Sequence, residues 1–276
     1  MSKTILITGV SSGFGRTLAE AALAAGHKVV GTVRRDADKA AFEALKPGRA
    51  FGRVLDVTNT AAIAPMVAEV ENTVGPIDVL VNNAGYGFEG ILEESTLDEF
   101  RHQFDVNVFG AIAMIQAVLP FMRKRRSGRI LNITSMGGHI TFPGISAYHG
   151  SKFALEGISE SLAKEVKPLG IHVTAVAPGG FRTDWAGRSM IRKERSIADY
   201  DEVFDPVRKR RQDMHGNQVG DPSKAAQAML TLIEAENPPM HLLLGSDALR
   251  LVREKLASLK SELDAWEKVT LSTDVA

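Results

Sequence analysis

The chain has 276 residues, 44% hydrophobic and 24% charged, the balance of a globular protein. Lys plus Arg and Asp plus Glu both number 33, so the net charge gives no reason to expect a nucleic acid or a membrane as partner. Cysteine is absent, which excludes disulfides, thiol nucleophiles and thiolate metal sites, and the seven histidines are scattered without a His-Glu-x-x-His spacing, so no metal is expected. The N-terminus enters a strand-like segment without a signal-peptide pattern, and no apolar run reads as a membrane span. A cytoplasmic protein is the expectation.

The predicted elements alternate. A strand at Thr4–Ile7 leads through a Gly-rich turn to a helix at Gly15–Ala25. Strand Lys28–Val33 and helix Ala37–Leu45 follow, then strand Ala50–Leu55 and helix Thr60–Thr73. Strand Val79–Val81 precedes a long helix, Leu97–Arg126. Strand Arg129–Ile133 leads to helix Ser151–Lys167, then strand His172–Val176, helix Ser223–Glu234 and strand His241–Leu244. The strands are rich in Val, Ile and Leu with little polar alternation, which suits burial on both faces. This order predicts an α/β fold, a doubly wound parallel sheet of about seven strands with helices on both faces.

No composition break divides the chain, so residues 1–245 read as one domain and 246–276 as its C-terminal helical extension, opened by a Ser246 cap. One segment breaks the rhythm. Phe181–Gly220 is too long for an ordinary loop and is expected to carry short helices and to act as a substrate lid.

Gly9, Gly13 and Gly15 lie between the first strand and helix. Small residues are needed where a strand turns sharply, where backbone approaches a pyrophosphate and where helix packs on sheet. The helix start then offers unpaired N–H groups to an anion. The end of the second strand carries Val33 where an NAD site would place a carboxylate, and Arg34 and Arg35 follow. Adjacent guanidiniums suit a 2′-phosphate, which favours NADP(H) over NAD(H). The alternative is a solvated Arg pair opening a loop.

Tyr148 and Lys152 stand one helical turn apart, close enough for an ammonium to favour the phenolate. Ser135 lies thirteen residues before Tyr148 at a strand end, on the carboxyl edge where open α/β sheets bind ligands. Around them run Thr-Gly-x-x-x-Gly-x-Gly at 8–15, Leu-Asp-Val-Thr at 55–58, Asn-Asn-Ala-Gly at 82–85, Asp-Val-Asn-Val-Phe-Gly at 105–110, Asn-Ile-Thr-Ser at 132–135 and Pro-Gly-Gly-Phe-Arg-Thr at 178–183. In this order and spacing the chain resembles the short-chain dehydrogenase/reductase family over residues 1 to about 185, and more loosely to about 245.

The resemblance implies a single-domain Rossmann fold and a catalytic set of Asn107, Ser135, Tyr148 and Lys152. Tyr148 would be the acid/base. Lys152 would lower its pKa and hold the nicotinamide ribose, Ser135 would polarise the substrate oxygen, and Asn107 would hold a water linking Lys152 to solvent. Thr8, Gly9, Ser11, Ser12, Gly13, Phe14 and Gly15 would form the phosphate loop. Asp56 would take the adenine amino group with Val57 beside it, and Asn82, Asn83, Ala84 and Gly85 would line the adenine and ribose side. Pro178, Gly179, Phe181 and Thr183 would meet the nicotinamide and pyrophosphate.

Residues 151–163 resemble the branch with hydroxysteroid and retinol dehydrogenases. Candidate pocket residues Phe88, Met136, Phe142, Phe181, Trp185 and Met190 are largely apolar, which suits a hydrophobic ketone or secondary alcohol. A cofactor-binding sensor or scaffold without turnover is the alternative, although such proteins usually lose the Tyr, Lys or Ser. Sugar-nucleotide epimerisation or dehydration is less favoured, because only a helix follows Gly245. His149 departs from the family pattern, and helix geometry turns it about 100° from Tyr148, toward a surface or interface. The basic runs Arg123–Arg126 and Arg208–Arg211 read as solvated faces. The family's usual contact, through the helices holding Asn107 and Tyr148, implies a homodimer or homotetramer.

Overall fold

The structure, a computed structural model, describes residues 2–275 apart from 188 and 215. The chain runs β1 (Thr4–Ile7), α1 (Gly13–Ala24), β2 (Lys28–Val33), α2 (Asp36–Glu43), β3 (Ala50–Val54), α3 (Thr60–Thr73) and β4 (Val79–Asn82). Then come β5 (Gly87–Glu89), α4 (Leu97–Phe104), α5 (Gly110–Arg125), β6 (Gly128–Ile133), α6 (Ser146–Val166) and β7 (Ile171–Pro178). β8 (Met190–Arg192), α7 (Asp201–Asp213), α8 (Pro222–Glu234), β9 (His241–Leu244) and α9 (Ser246–Leu271) complete it.

Seven strands form one parallel sheet in the order β3-β2-β1-β4-β6-β7-β9. The order reverses at β1, so the carboxyl ends of β1 and β4 open a crevice where such sheets bind ligands. Both faces are covered. α1 and α8 pack on one through Leu18, Ala22, Ala226 and Met229. α3, α5 and α6 pack on the other through Ile63, Val67, Met114, Val118 and Leu162. Strands buried on both sides explain the nearly continuous Val/Ile/Leu runs.

Several details depart from the sequence reading. α6 begins at Ser146, five residues before the predicted start, with no side-chain cap at Ile145. Burial of Ala147, Tyr148 and His149 in the first turn supplies what a capping signal would have. The long helix over 97–126 is interrupted by a π-helical turn at Asp105–Phe109, which carries Asn107. Extra residues of this kind re-aim a side chain and recur at functional sites. That 29-residue run is long and apolar enough by composition to cross a membrane, contrary to the sequence reading. One face of its α5 part packs on the core instead, with Met114, Val118 and Met122 fully buried.

β5 and β8 pair in parallel as a separate two-stranded sheet, with Gly87 opposite Met190 and Glu89 opposite Arg192. Three residues each is too short for periodicity to reveal. The Ser246 cap is not made: Gly245, at φ +99°, takes the N-cap position without a side-chain bond.

Candidate active site

The phosphate loop is built by close backbone approach. Gly9 and Gly13 have φ of +74° and +59°, where other residues are strained. A Cβ on Gly15 would lie 2.3 Å from the Gly9 carbonyl oxygen and 2.4 Å from Asn83 Nδ2. Asn83 Nδ2 donates to the carbonyls of Thr8 and Gly9, both at 2.9 Å. Thr8 Oγ1 accepts from the N–H groups of Asn83 and Ala84 at 3.0 and 2.9 Å. These two side chains therefore pin the glycine turn to the end of β4. Ser12 is the N-cap of α1 but makes no capping bond, and Ser11 is exposed. The first N–H groups of α1, at Gly13, Phe14 and Gly15, form an anion cradle. Thr183 stands over it, its Cβ 3.9 Å from the position a Gly13 Cβ would take. This cradle fits a dinucleotide pyrophosphate.

The expected adenosine side divides. Arg35 is engaged with Asp38 through two 2.8 Å bonds, and Arg34 is exposed. Arg34 lies near Asp56. Burial pushes the Asp56 carboxyl up, but the Thr58 backbone N–H and hydroxyl, with Arg34 and His102, outweigh it and hold it below the ordinary range. Val57 is buried against Gly110. Asn82 turns inward, donating to Asn132 Oδ1 at 2.8 Å, and Asn132 donates to Ser159 Oγ at 2.8 Å. It ties β4 to β6 and α6 rather than lining a ribose.

Ser135 follows β6 and caps the short turn Met136–Gly138, its Oγ accepting from Gly137 N–H at 3.0 Å. The same hydroxyl bonds the Tyr148 phenol. Burial pushes that phenol up to about 12, and the Ser135 bond only partly offsets it. Lys152 stands one turn along α6 from Tyr148. Its Nζ donates to the Ile133 carbonyl at 2.8 Å and lies 5.8 Å from the Tyr148 ring centre. Burial lowers the lysine itself to about 8, against the pull of Glu156. Glu156, one turn further on, is paired with His139 at 3.3 Å and His241 at 3.1 Å.

Asn107 is buried and fixed. Its Oδ1 accepts from Tyr86 N–H, and its Nδ2 donates to Tyr86 O and Ser151 Oγ, all at 3.1 Å. A Cβ on Gly85 would sit 3.1 Å from Asn107 Oδ1 and 3.8 Å from Lys152 Nζ. Gly85 thus keeps open the space where these two groups face each other.

Trp185 is the pocket candidate that reaches Tyr148, its ring 5.0 Å from the Tyr148 ring. Trp185 and Met190 both approach Gly87, whose Cβ would lie 3.0 and 3.3 Å from them. Strand alternation turns Phe88 to the opposite face, where it is buried. Met136 is half-buried directly after Ser135. Phe142 is partly exposed beside His149, at 6.0 Å between rings. Phe181 is core rather than pocket, stacked edge-on against Phe14 at 5.1 Å. Pro178 ends β7, and the Gly179 turn is crowded by Asp247, which accepts from Gly180 N–H at 2.7 Å.

Two groups placed at the surface by the sequence reading are structural. His149 is buried. Its Nε2 accepts from Phe142 N–H at 2.8 Å and its Nδ1 lies 2.7 Å from the Gly137 carbonyl, so it braces the loop from Ser135 to Tyr148. The 100° rotation from Tyr148 points at this loop, not at solvent. Arg208 and Arg211 are likewise no solvated run. Both bind Glu89, Arg208 at 2.8 Å, with Arg192 at 3.6 Å, and the Glu89 side chain is 0% exposed. Arg195 joins Glu94, Asp201 and Asp205 at 2.9–3.0 Å. Phe204 of α7 fills the space over Gly144 and is stacked by Arg195 and Arg208. The segment 181–220, with Arg188 and His215 outside the described residues, is therefore bolted to the loop before Tyr148. Acidic residues in a non-periodic stretch, Glu89 and Glu94, were the only sequence trace of this.

Residues 3–193 match the family model of the short chain dehydrogenases. The 3-ketodihydrosphingosine reductase of Bacteroides thetaiotaomicron is 38% identical over 262 residues, covering 94% of this chain and 92% of that protein. A short-chain dehydrogenase from Streptomyces avermitilis superposes with a TM-score of 0.93 at 44% identity, covering 99% of this chain and 98% of that one. ElxO, solved with NADP bound, has a TM-score of 0.75 at 26% identity, covering 91% of this chain and 100% of its own. A match that runs from β1 through β8, with relatives this similar over nearly the whole chain, makes the protein a member of the short chain dehydrogenases, oxidoreductases served by a nicotinamide cofactor.

Proposed function

We propose that the protein is an NADP(H)-dependent reductase that interconverts a hydrophobic ketone and its secondary alcohol. The observation that carries this is the meeting of Ser135, Tyr148 and Lys152 beside a glycine-lined helix start. A bound nicotinamide supplies the hydride. The protein's own groups hold and move the proton. Tyr148, with its phenol at about 12, stays protonated at neutral pH, which suits donation to a developing alkoxide. Ser135 hydrogen-bonds the same oxygen and stabilises its charge. Lys152, at about 8, remains largely charged at neutral pH and presents a cation beneath the phenol. Asn107, locked by Tyr86 and Ser151, positions the Lys152 side of the site.

Arg34 supports NADP(H), since a guanidinium at the end of β2 matches a 2′-phosphate. Trp185 and Met190 beside Tyr148 support an apolar substrate, and the relative named for reducing 3-ketodihydrosphingosine supports a ketone. Exposed Phe109 and Phe153, on the helices holding Asn107 and Tyr148, support a homodimer or homotetramer. The test is fluorescence titration with NADPH and NADH, followed by turnover on a panel of ketones and alcohols. Tighter NADH binding overturns the cofactor choice. Cofactor binding without turnover on any ketone or alcohol favours the sensor alternative.

A further inference from the structure

α9 leaves the body of the protein. Asp247, Ala248 and Val252 anchor its first turns, but every residue of Arg253–Leu271 is exposed. Its apolar residues are not scattered. Leu249, Val252, Leu256, Leu259, Leu263 and Trp266 recur at alternating intervals of three and four, the seam of a two-stranded coiled coil. The first two sit at the body. The last four, at 60%, 42%, 62% and 65% exposed, form a Leu-Leu-Leu-Trp stripe in water. Apolar stripes of this size mark interaction surfaces.

The charges narrow the partner. Between Ser246 and Leu271 the helix carries five basic residues (Arg250, Arg253, Lys255, Lys260, Lys268) and five acidic ones (Asp247, Glu254, Glu262, Asp264, Glu267). A membrane-surface helix has a basic polar face, and this one is neutral. Both signs flank the seam, which suits a partner that also carries both.

We propose that Arg253–Leu271 pairs, antiparallel about a two-fold axis, with the same stretch of a second copy. A crossing centred near residue 261, close to the middle of the exposed stretch, sets Leu256 against the partner's Trp266 and Leu259 against the partner's Leu263. The flanking positions select this direction. Parallel pairing would put Lys255 beside the partner's Lys260 and Glu262 beside the partner's Glu267, like charges at each contact. Antiparallel pairing puts Arg253 beside the partner's Glu267, twice by symmetry. Lys260 and Glu262 then meet their own copies, and Lys260 is already held by Asp264 at 2.6 Å. The arm is about 28 Å long. Covering its seam removes on the order of 1,000 Å² from water, the lower bound of a specific interface. The arm therefore adds to whatever contact α5 and α6 make, and its pairing is independent of the catalytic reading.

The absence of cysteine makes the test clean. Full-length L259C and L263C chains are mixed and oxidised. The expected result is a disulfide-linked dimer from the mixture and much less from either chain alone. Self-linking of L259C at the same yield overturns the antiparallel pairing. In parallel, sedimentation of L256E/L263E, whose residues are solvent-exposed, is compared with the unaltered chain at matched cofactor affinity. A halved assembly mass, or at least a tenfold weaker association, supports the arm. Unchanged mass with no mixed disulfide overturns it, as does flotation with phosphatidylserine vesicles that the same substitution abolishes.

Discussion

The phosphate-loop side of this molecule and the side proposed to take the substrate are held together by different physics. Around the phosphate loop the contacts are backbone against backbone. Gly9, Gly13 and Gly15 let the turn approach Asn83, and apolar side chains from α1 and α8 fill the space behind. On the other side, β5, β8 and α7 are joined by buried charge. Glu89 takes Arg192, Arg208 and Arg211, and Glu94 takes Arg195. Close-packed backbone tolerates almost no variation in shape, so its residues are dictated by sterics. Ion clusters demand only that charges meet, so their residues come from anywhere in the chain. The lesson is that the first kind of region can be read from local spacing and the second cannot.

Perturbing each side sharpens the contrast. The largest effect belongs to the proposed proton donor. Tyr148→Phe should lower turnover by about 10²–10⁴-fold while leaving NADPH affinity unchanged, measured by steady-state kinetics and fluorescence titration. Turnover near that of the unaltered chain would remove Tyr148 from the mechanism. Next comes the cap. Glu89→Gln strands three guanidiniums around a fully buried position and should destabilise by about 3–5 kcal/mol, read by denaturant unfolding. A loss under 1 kcal/mol would mean that water reaches the cluster.

Arg34→Ala should weaken NADPH by about 10–100-fold, the worth of a charge-assisted bond, and leave NADH within about twofold. Equal losses for both cofactors would place Arg34 elsewhere. The smallest effect is His149. Burial, against the Gly137 bond, holds it below its ordinary value of 6.5, so the unfolded chain binds a proton that the folded one resists. Its contribution to stability is complete above pH 6.5 and is lost as pH falls toward the folded value. Unfolding free energies should decline over that window, and His149→Gln should flatten the decline. An identical slope in both proteins would show that other groups cause it.

Much of this was legible in the sequence. The βα alternation, the glycines and the spacing from Ser135 to Lys152 all report on local geometry, and a parallel sheet of about seven strands followed from them, while the strand order with its switch point came from the structure. The roles within the site were less legible. Arg34 and Arg35 look equivalent in sequence, but Asp38 takes one of them. Asn82 and Asn83 are neighbours, yet one braces the sheet and the other the phosphate loop. Phe181 reads as pocket and is core, because Phe14 lies beside it only after folding.

The sequence by itself determined the fold, the position of the glycine turn and the spacing of the residues proposed for catalysis, because periodicity and turn chemistry act over a few residues. Only the tertiary structure decided how each group is tuned. Tyr148 and Lys152 are shifted in opposite directions by the same burial, away from their charged forms. Burial is a property of everything packed around a residue. No spacing along the chain encodes it.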